Sequence, residues 1–213
     1  MKIIIKKIYD KLNYIVGSKT AIVRHVIQRK NLKNRDVSII SQNCLGGVVS
    51  HDLNLRFLSP TINLYMNSDD FLTFVENIKL FKEAKLEFIK SNYKYPVGIL
   101  RVDDFYITIH FVHYKNESEA EKKWKDRFKR INYDKLCILM TDRDGFNIKN
   151  LKRFEALPYK KILFASKLYK SENIVFIERF SGQECVGDTL QYVNVLGKRC
   201  YEEVNMVKFL NSI

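Results

Sequence analysis

Apolar residues recur at helical spacing from the start of the chain, at Ile4, Ile8, Leu12 and Ile15, with Lys6, Lys7 and Lys11 on other faces. A second apolar helical stretch follows through Ile22, Val23, Val26 and Ile27. The pattern predicts an amphipathic helical segment over residues 1–29. Such a stripe ordinarily packs on the body of its own protein. A basic amphipathic helix also suits the inner face of a membrane, so peripheral contact there stays open.

Beyond the basic connector Arg29 to Asp36, the pattern changes to strand-length apolar runs alternating with helical ones. Val37 to Ser41 reads as a buried strand, followed by a turn and a short helix from Gly46 to Leu53. Ser59-Pro60-Thr61 marks a break, because the residue before proline avoids helix. Ile62 to Tyr65 is apolar enough for a short strand. The cluster Asn67-Ser68-Asp69-Asp70 opens a helix whose buried stripe is Phe71, Phe74, Val75, Ile78 and Phe81, extending to Lys82. Tyr95 to Val102 and Phe105 to Tyr114 form a hairpin about Asp103-Asp104. Ser118 and Glu121 match a capping box for a helix to Asn132, buried through Trp124, Phe128 and Ile131.

Leu136 to Met140 is a continuous apolar run, as a strand covered on both faces requires. Asn147 or Asn150 opens a helix that Pro158 stops, Lys161–Ala165 and Ile174–Ile177 are further strands, and Glu202 to Leu210 closes the chain as a helix. Strands alternating with helices predict an α/β domain over residues 30–213, a mostly parallel or mixed sheet flanked by helices in a Rossmann-like manner.

Charge narrows the partners. Lys and Arg number 37 against 24 Asp and Glu, a formal net charge of +13, so the surface attracts anions such as a nucleotide-sugar, a phosphorylated glycan precursor or an anionic membrane. The lysines are spread along the whole chain with no RNA-binding aromatic signature or DNA-reading helix, which makes nucleic acid the least favoured partner. Cys44, Cys137, Cys185 and Cys200 stand far apart without a Cys-x-x-Cys pair, so reduced thiols are expected. Lys6-Lys7 cut the apolar run Ile3-Ile4-Ile5 too short for a secretory core, which leads to a cytoplasmic expectation.

Four places carry candidate chemistry. Asn43-Cys44-Leu45-Gly46-Gly47 follows a strand, where glycines admit a ligand to the backbone and a helix N-terminus stabilises negative charge. Asn43, Gly46 and Gly47 are therefore candidate ligand contacts, and Cys44 is either a reactive thiolate or a small buried hydrophobe. Asp142-Arg143-Asp144-Gly145 follows the central strand, where open α/β sheets bind ligands. An Asp-x-Asp pair there suits Mg²⁺ or Mn²⁺ on a nucleotide diphosphate, although an Asp-Gly turn explains the same residues. His110 and His113, three apart on one strand, point to opposite faces, so they do not share a metal. His110, on the more polar face, is the better general base, and His113 is a candidate for ligand contact. Arg127, three residues from Trp124, sits beside an apolar stripe and suits bidentate phosphate binding.

These segments occur together in one order: Ser38 to Gly47, Ser59-Pro60-Thr61, Tyr95-Pro96-Val97-Gly98, Ile109 to Tyr114, Lys123-Trp124 through Arg127, Arg130-Ile131-Asn132, Asp142 to Gly145, and Phe154 to Tyr159. The succession, over roughly residues 30–170, resembles the DUF1919 family, bacterial proteins often labelled as exopolysaccharide biosynthesis proteins. Leu45 departs from the aromatic residue common after the cysteine in that family, while the Asn-Cys and Gly-Gly elements are kept. The resemblance implies an α/β fold and an association with capsule or exopolysaccharide production, and supplies no catalytic residues. The expected function is glycosyl transfer from a nucleotide-activated sugar. Asp142 and Asp144 would hold a divalent cation, Arg127 would add positive charge, and His110 or a carboxylate would deprotonate the acceptor. A Cys44 thiol enzyme with His110 or His113 as base and the Leu45–Gly47 amides as oxyanion site is the alternative, and a non-catalytic assembly protein is a third.

Overall fold

The computed structural model describes residues 2–213, with side chains described from Ile8 onward. The α/β class expected from the sequence holds. Helix α1 (Lys2–Asn31) leads to strand β1 (Ser38–Ser41), then α2 (Leu45–Asp52) and α3 (Ser68–Glu76). Strands β2 (Lys85–Ile89), β3 (Val97–Val102) and β4 (Phe105–His110) precede α4 (Glu117–Phe128). The second half runs β5 (Leu136–Thr141), α5 (Ile148–Ala156), β6 (Lys160–Ala165), β7 (Ile174–Phe176) and α6 (Met206–Asn211).

Strands β1, β5, β6 and β7 form a parallel sheet in that order. Successive residues of β5 serve opposite cores, which explains its unbroken apolar run. Leu136, Ile138 and Met140 join Phe74, Trp124 and Phe154 on one face, while Cys137 and Leu139 join Val49, Phe180 and Tyr201 on the other. The strands follow in chain order with no reversal, so the crevice of this fold is built by elements outside the parallel sheet.

The chief of these is an antiparallel sheet, β2-β3-β4, packed over the first core. Its hairpin turns at Asp103-Asp104 as expected, with Val102 paired to Phe105 and Asp103 at φ +47°. The expected strand Phe105–Tyr114 ends instead at His110, because the chain turns beyond it, the Tyr114 N–H bonding Phe111 O at 3.1 Å. The expected strand Ile62–Tyr65 reduces to one bridge between Tyr65 and His110. Helix α3 stops at Glu76 rather than Lys82, and α4 is capped by Asn116, whose side chain accepts from the Glu119 N–H, rather than by Ser118. Helix α5 uses both candidate asparagines, Asn147 and Asn150, in one reciprocal cap.

Helix α1 is continuous over both expected apolar stretches. It packs on the body through the face opposite to the expected one. Asn13 Nδ2 donates to Val193 O at 3.2 Å and Thr20 Oγ1 to Val195 O at 2.6 Å. Gly17 lies so close that a Cβ there would meet Asn194 O at 2.8 Å. Arg24 Nε and Gln28 Nε2 both donate to the buried Glu202 carboxylate. His25 Nε2 lies 3.6 Å from the buried Asp52, which also accepts from Arg199 Nε at 2.7 Å and the Tyr201 hydroxyl at 2.9 Å. The apolar stripe Ile8, Leu12, Ile15, Ile22, Val23, Val26 and Ile27 is exposed on the outer side of α1, with Val23 and Ile27 at the edge of a groove between the helix and residues 196–212; the Ile4 side chain lies outside the described residues.

Candidate functional site

A cavity of about 270 Å³ opens at the C-terminal ends of β1 and β5, lined by Asn43, Cys44, Tyr65, Val112, Arg143, Asp144, Asp188, Thr189 and Leu190. Two of the four places singled out in the sequence therefore meet here. The buried Gln42 clamps them together: its Oε1 accepts from both Thr141 N–H and Oγ1–H at 3.0 Å, and its Nε2 donates to Ser68 Oγ at 3.2 Å. Ser68 Oγ in turn donates to Arg143 O at 2.8 Å, and the Ser68 N–H donates to Asp144 O at 2.9 Å. The first turn of α3 thus fixes the loop after β5. Within that loop Asp144 stands at φ +56° and Gly145 at +85°, a conformation glycine accepts freely and aspartate tolerates better than most residues.

The two aspartates of the expected metal pair have different surroundings. Asp142 is buried, with Oδ2 accepting from the Ser166 N–H at 2.7 Å and Oγ–H at 2.9 Å and Oδ1 accepting from the Val186 N–H at 2.7 Å. It ties the segment after β7 over the sheet edge. Asp144 lines the cavity, and among the described residues no donor occupies its carboxylate. Burial against the cavity walls pushes the Asp144 carboxyl up, with the charges of Arg143 and His110 opposing. Among the described residues no three His, Cys, Asp or Glu side chains stand close enough to share an ion. A cation there would take most of its ligands from phosphate and water, as Mg²⁺ commonly does.

His110 and His113 part company. His110 stacks on Tyr65, ring centroids 4.4 Å apart and 9° from parallel, and meets Tyr93 and Tyr95 edge-on. Burial holds its imidazole below the ordinary value, opposed by the nearby Asp144 charge. His113, beyond the strand end, is exposed and outside the cavity lining.

Cys44 lines the cavity, half-buried, and burial pushes its thiol up, although its own backbone N–H pulls the other way. Among the described residues no imidazole hydrogen-bonds to it. Two of the three expected oxyanion amides are also engaged: Leu45 N–H donates to Asn43 Oδ1 at 3.1 Å and Gly46 N–H to Ser41 Oγ at 3.0 Å. Gly46 serves packing, since a Cβ there would lie 2.7 Å from Ser41 Cβ, whereas one at Gly47 meets only ordinary contacts from 3.5 Å. Asn43 spans the two loops, its Nδ2 donating to Thr141 Oγ1 at 3.2 Å.

Arg127 is buried, as its place beside the apolar stripe suggested, but not at this cavity. Its Nη1 donates to the Tyr114 hydroxyl at 2.6 Å, and its guanidinium lies 5.5 Å from the Phe57 ring centre. There it borders a separate basic groove with Lys122, Lys123 and Arg130.

Sequence reading missed Tyr65, Asp188 and Thr189. Tyr65 arrives through its bridge to His110, and residues 187–190 through the Asp142–Val186 bond together with Arg143 Nη1 donating to Gly187 O at 3.3 Å. None of these carries a local motif.

Comparison with known proteins agrees with the resemblance and widens it. The chain is 38% identical over 191 residues to a protein of Haemophilus influenzae described as an uncharacterized protein, covering 89% of this chain and 90% of that one. The family model described as Domain of unknown function (DUF1919) matches residues 17–211, beyond the stretch 30–170 that carried the motifs. From its first helix to its last, the chain belongs to the DUF1919 family.

Proposed function

We propose that the protein is a transferase of surface or exopolysaccharide assembly that moves a glycosyl group from a nucleotide-activated sugar. The observation that carries this reading is the Asp144 carboxylate, held at a strained φ in the cavity, unoccupied by donors and raised by burial. A carboxyl group with an upward-shifted pKa is suited to accept a proton from a sugar hydroxyl. The acceptor oxygen would bond to the anomeric carbon as the bond to the nucleoside diphosphate breaks, and the hydroxyl proton would pass to Asp144.

Other groups support the same reading. Tyr65 with His110 behind it offers an aromatic face for a sugar ring, and Asp188 and Thr189 offer polar atoms for its hydroxyls. Arg143 lines the same cavity and would neutralise departing diphosphate charge, a task that Mg²⁺ or Mn²⁺ would share if bound with the substrate. His110 acts here as a positioning residue beside Asp144 rather than as the base. Asp142 holds the roof.

The test is release of nucleoside diphosphate from a panel of nucleotide-sugars, with and without Mn²⁺. Asp144→Asn is expected to lower turnover by about 10²–10⁴-fold while donor binding persists. A panel in which no nucleotide-sugar binds, or an Asp144→Asn variant with full turnover, would defeat the proposal.

A further inference from the structure

The apolar stripe of α1 is displayed on the outside of the protein. Ile8 is 63% exposed, Ile22 67% and Val23 66%, on the longest helix of the described chain. Stripes of this kind ordinarily supply a core, and contiguous apolar surface left open marks an interaction site. Here the body is already satisfied by the opposite face, through Asn13, Gly17, Thr20, Arg24 and Gln28. The stripe therefore belongs to something outside the molecule.

Charge decides between occupants. Asp10 is the single acidic residue of α1 in the sequence, and it is bonded to Arg179 Nη2 at 2.6 Å. Lys11, Lys19 and Lys30 are exposed, and Lys2, Lys6 and Lys7 precede them in the sequence. Two copies pressed together along this stripe would bring Lys19, within it, and the exposed Lys11 and Lys30 beside it against their counterparts with no carboxylate of α1 to meet them. An anionic bilayer satisfies both features: apolar side chains enter the acyl boundary while lysines reach the headgroups, Lys19 by snorkelling from within the stripe. The polar side of the helix, which usually faces water in such elements, is here covered by the protein body.

We propose that α1 docks the protein lengthwise on an anionic lipid surface, with the body on the far side of the helix from the bilayer. The inference is independent of the chemistry assigned to the cavity.

Co-sedimentation of the full chain with vesicles tests it. The expected result is binding to phosphatidylcholine–phosphatidylglycerol vesicles, weakened by salt, and little binding to phosphatidylcholine alone. Ile15→Gln/Ile22→Gln/Val26→Gln should abolish binding, and Lys11→Gln/Lys19→Gln should weaken it about thirtyfold, roughly fivefold for each basic residue near the surface. The substituted side chains are exposed, so circular dichroism and thermal unfolding should match the parent. The proposal is overturned if the parent fails to sediment with anionic vesicles at low salt, or if the lysine variant binds undiminished. It is equally overturned if the parent is a stable dimer by light scattering that the triple apolar variant converts to monomer, without any vesicle binding.

Discussion

Replacing Gly46 by alanine places a methyl carbon 2.7 Å from Ser41 Cβ and 3.2 Å from Ile39 Cγ2, both on the buried strand β1. Neither neighbour is the free end of a flexible side chain, so the helix must move off the strand. Overpacking of this kind costs about 1–3 kcal/mol. Alanine returns up to about 1 kcal/mol through helix propensity, leaving Gly46→Ala destabilised by roughly 1 kcal/mol. At Gly47 the nearest contact is Ile62 Cγ2 at 3.5 Å, so the propensity gain stands without a clash. Gly47→Ala should therefore be stabilised by about 0.5–1 kcal/mol. Two neighbouring glycines then respond with opposite signs. For a chain of this length about 1 kcal/mol moves the melting temperature by roughly 2–4 °C, so the two variants should melt about 3–8 °C apart. Urea unfolding and differential scanning calorimetry measure this directly. If Gly46→Ala is as stable as the parent, or if both alanine variants keep parental stability and lose nucleotide-sugar binding, the packing explanation fails and the glycines serve a ligand.

Asp142→Ala strips the acceptor from the buried Ser166 and Val186 N–H groups and should cost about 3–5 kcal/mol, with faster hydrogen exchange at residues 181–190. Unfolding within about 0.5 kcal/mol of the parent would show that the carboxylate is not structural. Iodoacetamide should label Cys44 more slowly than an unhindered thiol at neutral pH, since burial raises its pKa; mass spectrometry that finds Cys44 the fastest of the four cysteines would return it to candidacy as a nucleophile. His25 and His110 are both held below their ordinary value of 6.5 in the folded protein, chiefly by burial, so the unfolded chain binds protons first as pH falls. Stability should be flat above about pH 7.5 and decline as pH drops below 6.5 toward the folded values. His25→Gln should lessen that decline, and an unchanged slope in urea titrations at pH 8, 6 and 5 would refute the assignment.

The parts of the fold legible in the sequence were those whose burial is two-sided or whose caps are local. Leu136–Met140 could be read as a central strand because no polar residue interrupts it, and Asn147 with Asn150 marked α5 through backbone groups within reach of their own side chains. Strand β2 went unread because Lys85, Glu87 and Ile89 are exposed on an edge, where alternation is diluted by charge. The cavity was half legible. Cys44 and Asp144 follow strands and so had a predictable place, whereas Tyr65 and residues 188–190 depend on long-range bonds that leave no trace in local spacing. Arg127 illustrates the converse: its burial followed from its spacing to Trp124, whereas its hydrogen bond to the Tyr114 hydroxyl, thirteen residues away, did not. The N-terminal stripe was recognised and its orientation was not, because periodicity reports that a helix has two faces without saying which one its neighbours want.

That orientation bears on how the protein should be handled at the bench. Cutting away an N-terminal helix with exposed isoleucines is the usual route to a better-behaved sample. Here the same cut would strip Arg24 and Gln28 from Oε2 of the buried Glu202 and His25 from beside the buried Asp52, leaving both interior carboxylates with fewer donors, the Arg199 N–H for Glu202 and Arg199 with Tyr201 for Asp52. The shortened chain should aggregate more than the parent, whereas repainting the outer face of α1 with polar residues should preserve the fold and improve solubility.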